Sequence, residues 1–414
     1  MGHRPLIRRR GAIVGALDIG TSKIACLVGQ ADGSSEEGMR VLGSGVTRSA
    51  GVKGGVITDP QAVEAAVRAA VAQAERTSGV TLDEVFVSIT CGRLRSLSFA
   101  AHADIPSGRV RAHDVSRILE GAKGYAERGG RVLIHMNRKA YRLDGAPGGD
   151  DPRGLACRRL SADMHAVTAD EGAVRNLLYV VERSDLAVAG LVAAPVASAL
   201  SVTSATLRQL GVTVIDMGAG TTTLAVFAEG SLVHLEVMMA GGHHLTFEIA
   251  QNLHAPLAEA ERIKTLYASV VNAPSDFYDS FSYAGAGDSG DGASRETRAY
   301  LTGLVRSRID AQLVQAAERL AASGFDRGPV VLTGGASQLA GLAGYASAAL
   351  GREVSVAGPP VSLLPHGAAG GAQMAAVAGL LLAGPGGDVV EAERAAGGRF
   401  GYLGLVGRWV REGL

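Results

Sequence analysis

Cysteine, tryptophan and lysine are scarce in this chain of 414 residues, with three, one and five of each. Cys26, Cys91 and Cys157 have no metal-ligand spacing, so neither a zinc cluster nor a disulfide framework is expected, and a reducing cytosol fits. Charge of one sign is also lacking. Basic and acidic residues number 40 each and no basic stripe stands out, which argues against a nucleic-acid binder. Long apolar runs are missing too. Residues 367–382 carry no charge, but the stretch is short, rich in Gly and Ala, and contains Gln373, so it reads as a buried helix rather than a membrane span. Arg8-Arg9-Arg10 precedes an apolar stretch that mimics a signal peptide until Asp18 interrupts it. What the chain has in excess is glycine. Its 57 residues are about twice the usual share, which favours tight turns and close helix crossings.

Against that background one motif occurs twice. Leu17-Asp18-Ile19-Gly20-Thr21-Ser22-Lys23 returns as Ile215-Asp216-Met217-Gly218-Ala219-Gly220-Thr221-Thr222. Each copy closes an apolar run, 12–17 and 212–215, and each is followed by another, 24–28 and 224–227. Both therefore read as β-hairpins with a carboxylate near the end of the first strand and a tight turn of small residues. Such a turn aims several backbone N–H groups at one point, and glycine lets the backbone approach closely. Two facing cradles, each with an Asp, suit a polyphosphate and its divalent cation. Mg²⁺ keeps several waters and needs only one or two carboxylates beside phosphate oxygens, so Asp18 and Asp216 are the expected metal ligands. Lys23 either reaches a phosphate or is an exposed hairpin lysine.

The surrounding pattern repeats as well. The first unit reads strand, strand, strand (40–46), helix, strand (85–89). Its helix has Asp59 as N-cap, Pro60 in the first turn, and Ala62, Val63, Ala66, Val67, Ala70 and Val71 on one face. The second unit begins with strands near Val212, Leu224 and Leu232, becomes helical from about Leu245, and has a later strand at 329–332. Two similar α/β units in tandem imply a duplicated fold with a ligand between them. Residues 93–166 lack a cradle and read as an inserted domain. The Asp- and Gly-rich stretch 274–294 reads as an exposed loop.

Further residues complete the expected cleft. Gly334-Gly335-Ala336, with Gln338 beyond, follows a strand and lets backbone lie flat against a base or ribose. Glu261 and Lys264 lie three apart on a helix. Alone they read as a solvated salt bridge; in a cleft they grip adenine or ribose. The small-residue runs 193–199 and 367–378 suit two connectors that cross closely between hinged lobes, although tight packing without motion explains them equally.

In this order these elements resemble the actin, heat-shock-chaperone and sugar-kinase superfamily, and within it the bacterial cell-division FtsA family over nearly the whole chain. Lys53-Gly54-Gly55-Val56-Ile57-Thr58-Asp59 is similar to that family's K-G-x-I-x-D segment, and Ala260-Glu261-Arg262-Ile263-Lys264 to its A-E-x-I-K helix. The resemblance implies a duplicated actin-like (ribonuclease H-like) α/β fold. Its core subdomain 1A spans 11–92 and 167–200, the inserted subdomain 1C spans 93–166, core subdomain 2A spans 201–241 and 328–383, and subdomain 2B spans 242–327. It implies ATP and Mg²⁺ as cofactors, a filament of copies of the chain, other division proteins as partners, and the C-terminal peptide of the ring protein FtsZ as a ligand of 2B. Val305-Arg306-Ser307-Arg308 resembles a helix start that reads I-x-P-R in the family, which makes Arg308 the expected contact for that acidic peptide, or else an ordinary surface arginine. Two departures bear on catalysis. Ala219 and Thr223 replace a Gly and an Asp of the usual second cradle, and Ala194 stands where many filament ATPases carry Glu. Nucleotide binding is expected to survive these changes and hydrolysis to be slow. The weaker resemblances are to pilus-assembly PilM and to sugar or acetate-type kinases.

Residues 384–398 read as a flexible linker. Beyond it, at about 100° per residue, Tyr402, Leu403, Val406, Trp409 and Val410 share one side of a helix, with Phe400 ahead of them. Arg408, Arg411 and Glu412 lie opposite. A basic amphipathic helix at 399–414 with an interfacial Trp reads as an anchor on the inner face of the cell membrane, at the division septum by the family resemblance. Docking on the protein's own body is the alternative.

Overall fold

The computed structural model describes residues 11–32, 38–285, 294–365 and 371–383. The expected linker and amphipathic tail, the middle of the acidic stretch and the start of the second small-residue run lie outside the described residues.

The first lobe begins with β1 (Ile13–Ile19), β2 (Lys23–Ala31) and β3 (Met39–Arg48), joined antiparallel. A two-stranded ribbon, β4 (Val52–Lys53) and β5 (Val56–Ile57), leads to α1 (Pro60–Ser78) and then β6 (Glu84–Ile89). The helix starts where its sequence says. Asp59 Oδ1 accepts from the N–H groups of Gln61 (3.1 Å) and Ala62 (3.2 Å). Its buried face is Val63, Val67, Ala70, Val71 and Ala74. β1 and β2 are near-continuous apolar runs because the central strands of a sheet covered on both faces have no solvent side.

The insertion follows β6. It consists of β7 (Arg95–Asp104), α2 (Ala112–Ala126), β8 (Arg131–Leu143), β9 (Ala146–Pro147) and β10 (Arg159–Asp170), with sheet order β7-β10-β8-β9. It has its own core, in which Ile118 and Leu119 of α2 pack with Leu133, Met136, Leu160 and Met164. The chain returns to the first lobe through α3 (Glu171–Arg183) and β11 (Ala187–Ala193), then crosses by α4 (Ala194–Val202) and α5 (Ala205–Leu210).

The second lobe repeats the plan. β12 (Val212–Met217), β13 (Thr222–Ala228) and β14 (Ser231–Met238) pair antiparallel. Next come α6 (Gly242–Asn252), α7 (Leu257–Tyr267), a hairpin of β15 (Ser280–Tyr283) and β16 (Ser294–Thr297), and α8 (Arg298–Ala322). The chain then forms β17 (Val330–Thr333), α9 (Leu342–Leu350), β18 (Val354–Val356) and α10 (Ala375–Ala383). The sheet orders are β11-β6-β1-β2-β3 and β18-β17-β12-β13-β14. They match strand for strand. In each, the motif strand pairs antiparallel on one side and parallel on the other.

Two details differ from the sequence reading. Part of 274–294 is ordered as a 3₁₀ turn, Pro274–Phe277, and strand β15. α8 starts at Arg298, so Arg308 lies well inside a helix rather than at its start. With Ser307 where the family's motif has Pro, nothing interrupts the helix there.

α4 and α10 lie between the lobes. Val377, Leu380 and Leu381 of α10 belong to one apolar core that also includes Leu17 of the first lobe and Val214 and Ala225 of the second. A Cβ at Gly379 would fall 1.7 Å from the carbonyl oxygen of Ala197, so only glycine permits this crossing. All three cysteines are free and buried. Burial pushes the Cys26 thiol up to about 12 and Cys91 up to about 11, which makes them inert.

Candidate nucleotide cleft

The two motif strands end at one cavity of about 510 Å³ between the lobes. Asp18 and Asp216 are both the penultimate residue of their strand, opposite Ala25 and Thr223 respectively. The turns are equivalent. Gly20 N–H donates to the carbonyl of Lys23 (3.0 Å), and Gly218 N–H to that of Thr221 (2.9 Å). Ligand sites in open α/β sheets lie at the carboxyl ends of strands for the same reason. There the backbone leaves the sheet with unpaired groups.

Each Asp is held by a serine. Ser88 Oγ on β6 donates to Asp18 Oδ1 at 2.5 Å, and Ser198 Oγ on α4 donates to Asp216 Oδ2 at 2.5 Å. Burial raises the Asp18 carboxyl above its usual range, opposed by the Ser88 hydrogen bond and the Lys23 charge. Burial also pushes Asp216 up to about 6; Ser198 opposes the shift and the nearby Asp18 adds to it. Two buried carboxylates facing a cavity with one ammonium beside them are electrostatically suited to a divalent cation. Among the described residues no group of three or more His, Cys, Asp or Glu gathers as a metal cage. Two carboxylates with phosphate oxygens are what Mg²⁺ takes.

The cradle geometry fits a polyphosphate. A Cβ at Gly334 would lie 2.2 Å from Asp216 Oδ1. A Cβ at Gly220 would lie 2.6 Å from Thr21 Oγ1 and 3.0 Å from Gly54 Cα, so the second turn packs against the Thr21 side chain and the backbone between β4 and β5 with no room for a side chain of its own. Thr223 Oγ1 is buried, lines the cavity and has no hydrogen-bond partner. An orphaned hydroxyl there is a donor waiting for an acceptor.

The walls contain Gly20, Thr21, Ser22, Lys23, Gly218, Ala219, Gly220, Thr221, Glu261, Lys264, Gly334, Gly335, Ala336 and Gln338. Thr222 is the exception. It is buried in β13 and does not line the cavity, whereas Thr223 does, because successive strand side chains alternate. Glu261 and Lys264 do form their i, i+3 salt bridge, at 2.7 Å, and they line the cleft as well. Lys264 also donates to Thr246 Oγ1 at 2.9 Å.

Arg308 lies on the cleft wall, where its Nη1 donates to Glu248 Oε1 at 3.1 Å. It is half-buried there and already paired with an acid. Ser88, Ser198, His243 and Gln373 were not singled out from the sequence as site residues, and Thr223 was singled out only as a departure from the usual second cradle. Ser88 alone had a signal, a polar residue in the apolar strand Glu84–Ile89.

Duplicated five-stranded sheets around a shared cleft, with two crossing helices between them, define an actin-like protein. A solved structure of a PilM–PilN type IV pilus biogenesis complex matches with a TM-score of 0.65 at 16% identity, over 93% of this chain and 99% of that one. MreB5 of Spiroplasma citri bound to ADP matches with a TM-score of 0.52 at 13% identity, over 90% and 95%. The sequence comparisons are narrower. The family model "Cell division protein FtsA" matches residues 213–379, and "SHS2 domain inserted in FTSA" matches residues 91–168. Cell division protein FtsA of Rhizobium meliloti (strain 1021) is 38% identical over 99% of this chain and 96% of its own length. The chain belongs to the FtsA family of bacterial cell-division proteins. The resemblance and the fold class read from the sequence are thereby borne out.

Proposed function

We propose that this chain binds ATP with Mg²⁺ in the interlobe cleft, assembles into filaments on the cytoplasmic face of the inner membrane, and tethers the FtsZ ring there while recruiting other division proteins. The observation that carries the cofactor reading is the matched pair Asp18 and Asp216, each gripped by a serine beside a glycine cradle. When bound, Mg²⁺ supplies charge neutralisation at the phosphates. Asp18 and Asp216 hold the ion, the N–H groups of the two turns and Lys23 take the phosphates, and Gly334 to Ala336 with Glu261 and Lys264 face the nucleoside. Turnover is slow in this reading. Ala194 lines the cleft without a polar group, and among the described residues the acids on the wall are Asp18, Asp216 and Glu261 only. A kinase reading lacks its catalytic carboxylate. A pilus-assembly reading rests on fold likeness, whereas the sequence relatives are FtsA proteins.

The test is calorimetric titration of the full chain with ATP in the presence and absence of Mg²⁺. Asp216→Asn is expected to lower Mg²⁺-dependent affinity at least about tenfold, as loss of a metal ligand does. Equal affinity in the variant overturns the metal assignment. Pull-down with an FtsZ C-terminal peptide tests the partner, and failure to retain it argues against tethering.

A further inference from the structure

The second connector begins at a residue that touches both lobes. Gln373 sits in the 3₁₀ turn Ala372–Met374, immediately before α10. Its backbone carbonyl accepts from Lys23 Nζ at 2.5 Å. Its side-chain Oε1 accepts from Gln338 Nε2 at 2.7 Å. Lys23 opens β2 of the first lobe, and Gln338 ends the turn after β17 of the second. Lys23, Gln338 and Gln373 all line the cleft. One residue therefore closes a bridge from the phosphate cradle of one lobe to the Gly-Gly turn of the other.

The turn that carries Gln373 leads directly into the helix crossing. Two residues on, the Ala375 carbonyl accepts from Ser201 Oγ of α4 at 2.8 Å. Four residues beyond that, Gly379 rests on Ala197 with no room for a methyl group. The start of α10 is thus the part of the connector tied to the cleft, and its middle is the part tied to the other connector. A pull on Gln373 acts on a helix with a fixed crossing point.

We propose that Gln373 is an interlobe latch that ATP opens, by taking Lys23 and Gln338 as its own partners and freeing the start of α10. The proposal rests on the nucleotide reading of this cleft. Its physical basis is competition for donors. The Lys23 ammonium bond to the Gln373 carbonyl is charged on the donor side only, whereas a phosphate oxygen adds the opposite full charge, and that Coulomb attraction draws Lys23 from a neutral carbonyl. The ribose or base draws the Gln338 amide in the same way. Binding is then coupled to the connector, because the ligand must displace contacts that hold it.

The experiment uses the full chain with Gln373→Ala and, at nearly the same volume, Gln373→Met. Both remove the side-chain half of the latch and leave the backbone carbonyl. Mg²⁺–ATP affinity is expected to rise about two- to tenfold, the equivalent of one net hydrogen bond no longer competing. Amide hydrogen exchange over 371–376, measured without nucleotide, is expected to rise toward the level that ATP induces in the wild type. Weaker binding by both variants makes Gln373 a ligand and overturns the latch. Unchanged affinity and exchange overturn it also, while the wild type's own binding leaves the nucleotide site standing. A wild type that binds no ATP refutes the site and the latch together. Thermal unfolding of both variants within a few degrees of wild type excludes a folding defect as the cause.

Discussion

At the scale of single residues, the two buried carboxylates of the cleft, Asp18 and Asp216, each take a hydrogen bond from one serine. Asp18 and Asp216 were legible in the sequence because their motif repeats. Ser198 was not, because one serine in an Ala-rich helix looks ordinary, and Ser88 showed only as a polar residue in an apolar strand. Yet Ser198 is wholly buried and directs its hydroxyl at Asp216 from the helix that joins the lobes. Ser198→Ala leaves a buried carboxylate oxygen without its donor, at a cost of about 1–3 kcal/mol in stability. It also frees Asp216 to rotate. Loss of a residue that orients a metal ligand weakens metal affinity by about 10- to 100-fold, so Mg²⁺-dependent ATP binding should fall in that range. Urea denaturation and ATP titration read the two effects separately. A destabilised variant with wild-type Mg²⁺ dependence would show that Ser198 only packs. The tolerance of each turn is also set residue by residue. Ala219 stands where the family has Gly, whereas Gly220 touches Thr21 and Gly54 and leaves no space for a side chain.

At the scale of elements, local chemistry decided what could be read. α1 was legible at its start because a cap is written in neighbouring residues, and the central strands because burial on both faces makes continuous apolar runs. The β15–β16 hairpin was hidden in a stretch whose Asp and Gly content reads as loop, and the start of α8 was misplaced by a partial motif. Tertiary contacts between elements left no local trace. The insertion is a case of this kind. His135 Nε2 on β8 accepts the N–H of Ala193, at the entry to α4, at 2.9 Å. Beside it Asn137 Nδ2 donates to the carbonyl of Leu232 (3.1 Å), and Ser96 Oγ accepts from the N–H of Leu235 (3.1 Å), both on β14. His165 sits between Ser96 and Asn137. Since the Asn137 amide donates to a carbonyl, its oxygen faces His165, whose Nδ1 must carry the proton. His135 is neutral because its Nε2 accepts a backbone N–H, and burial keeps His165 neutral as well. Burial pushes His135 down to about 4. Burial, with the charge of Lys139, pushes His165 down to about 3. An unfolded chain binds these protons near pH 6.5, so stability is full above that value and lost as pH falls toward 4. For His135 alone the loss is on the order of 2 kcal/mol by pH 5. His135→Gln keeps an acceptor for Ala193 and removes the proton site. Its denaturation midpoint should change less between pH 7.5 and 5 than that of the wild type. An unaltered pH slope would place the acid sensitivity elsewhere.

At the scale of the whole molecule, duplication made the architecture legible, because two copies of one hairpin fix two sheets and a cleft between them. The connection between the lobes was half visible. Small-residue runs marked both connectors, but only the fold places α4 against α10 with Ser198 on Asp216 and Gln373 on Lys23. The membrane attachment proposed above rests on a tail sequence that lies outside the described residues, and among those described no helix is long and apolar enough to cross a membrane. The tail's sequence limits its strength. Gly404 and Gly407 each cost about 1 kcal/mol relative to Ala in a helix, and a helix of about 14 residues is marginal in water. On that proposal a single tail, offering Leu403, Val406, Trp409 and Val410 to lipid, should bind weakly. Many tails on one filament bind through effective concentration, which multiplies a weak affinity without new contacts. Membrane attachment should accordingly follow assembly, and assembly should follow nucleotide. Trp409, the sole tryptophan, reports this directly. Its emission should shift to the blue on adding vesicles with anionic lipid, and the vesicle concentration for half the shift should fall with Mg²⁺–ATP under conditions that give filaments. Truncation after Gly398 should abolish co-sedimentation with vesicles and leave filament formation intact. A blue shift of equal midpoint with and without assembly would mean that one tail suffices, and the link between the nucleotide cleft and the membrane would fail.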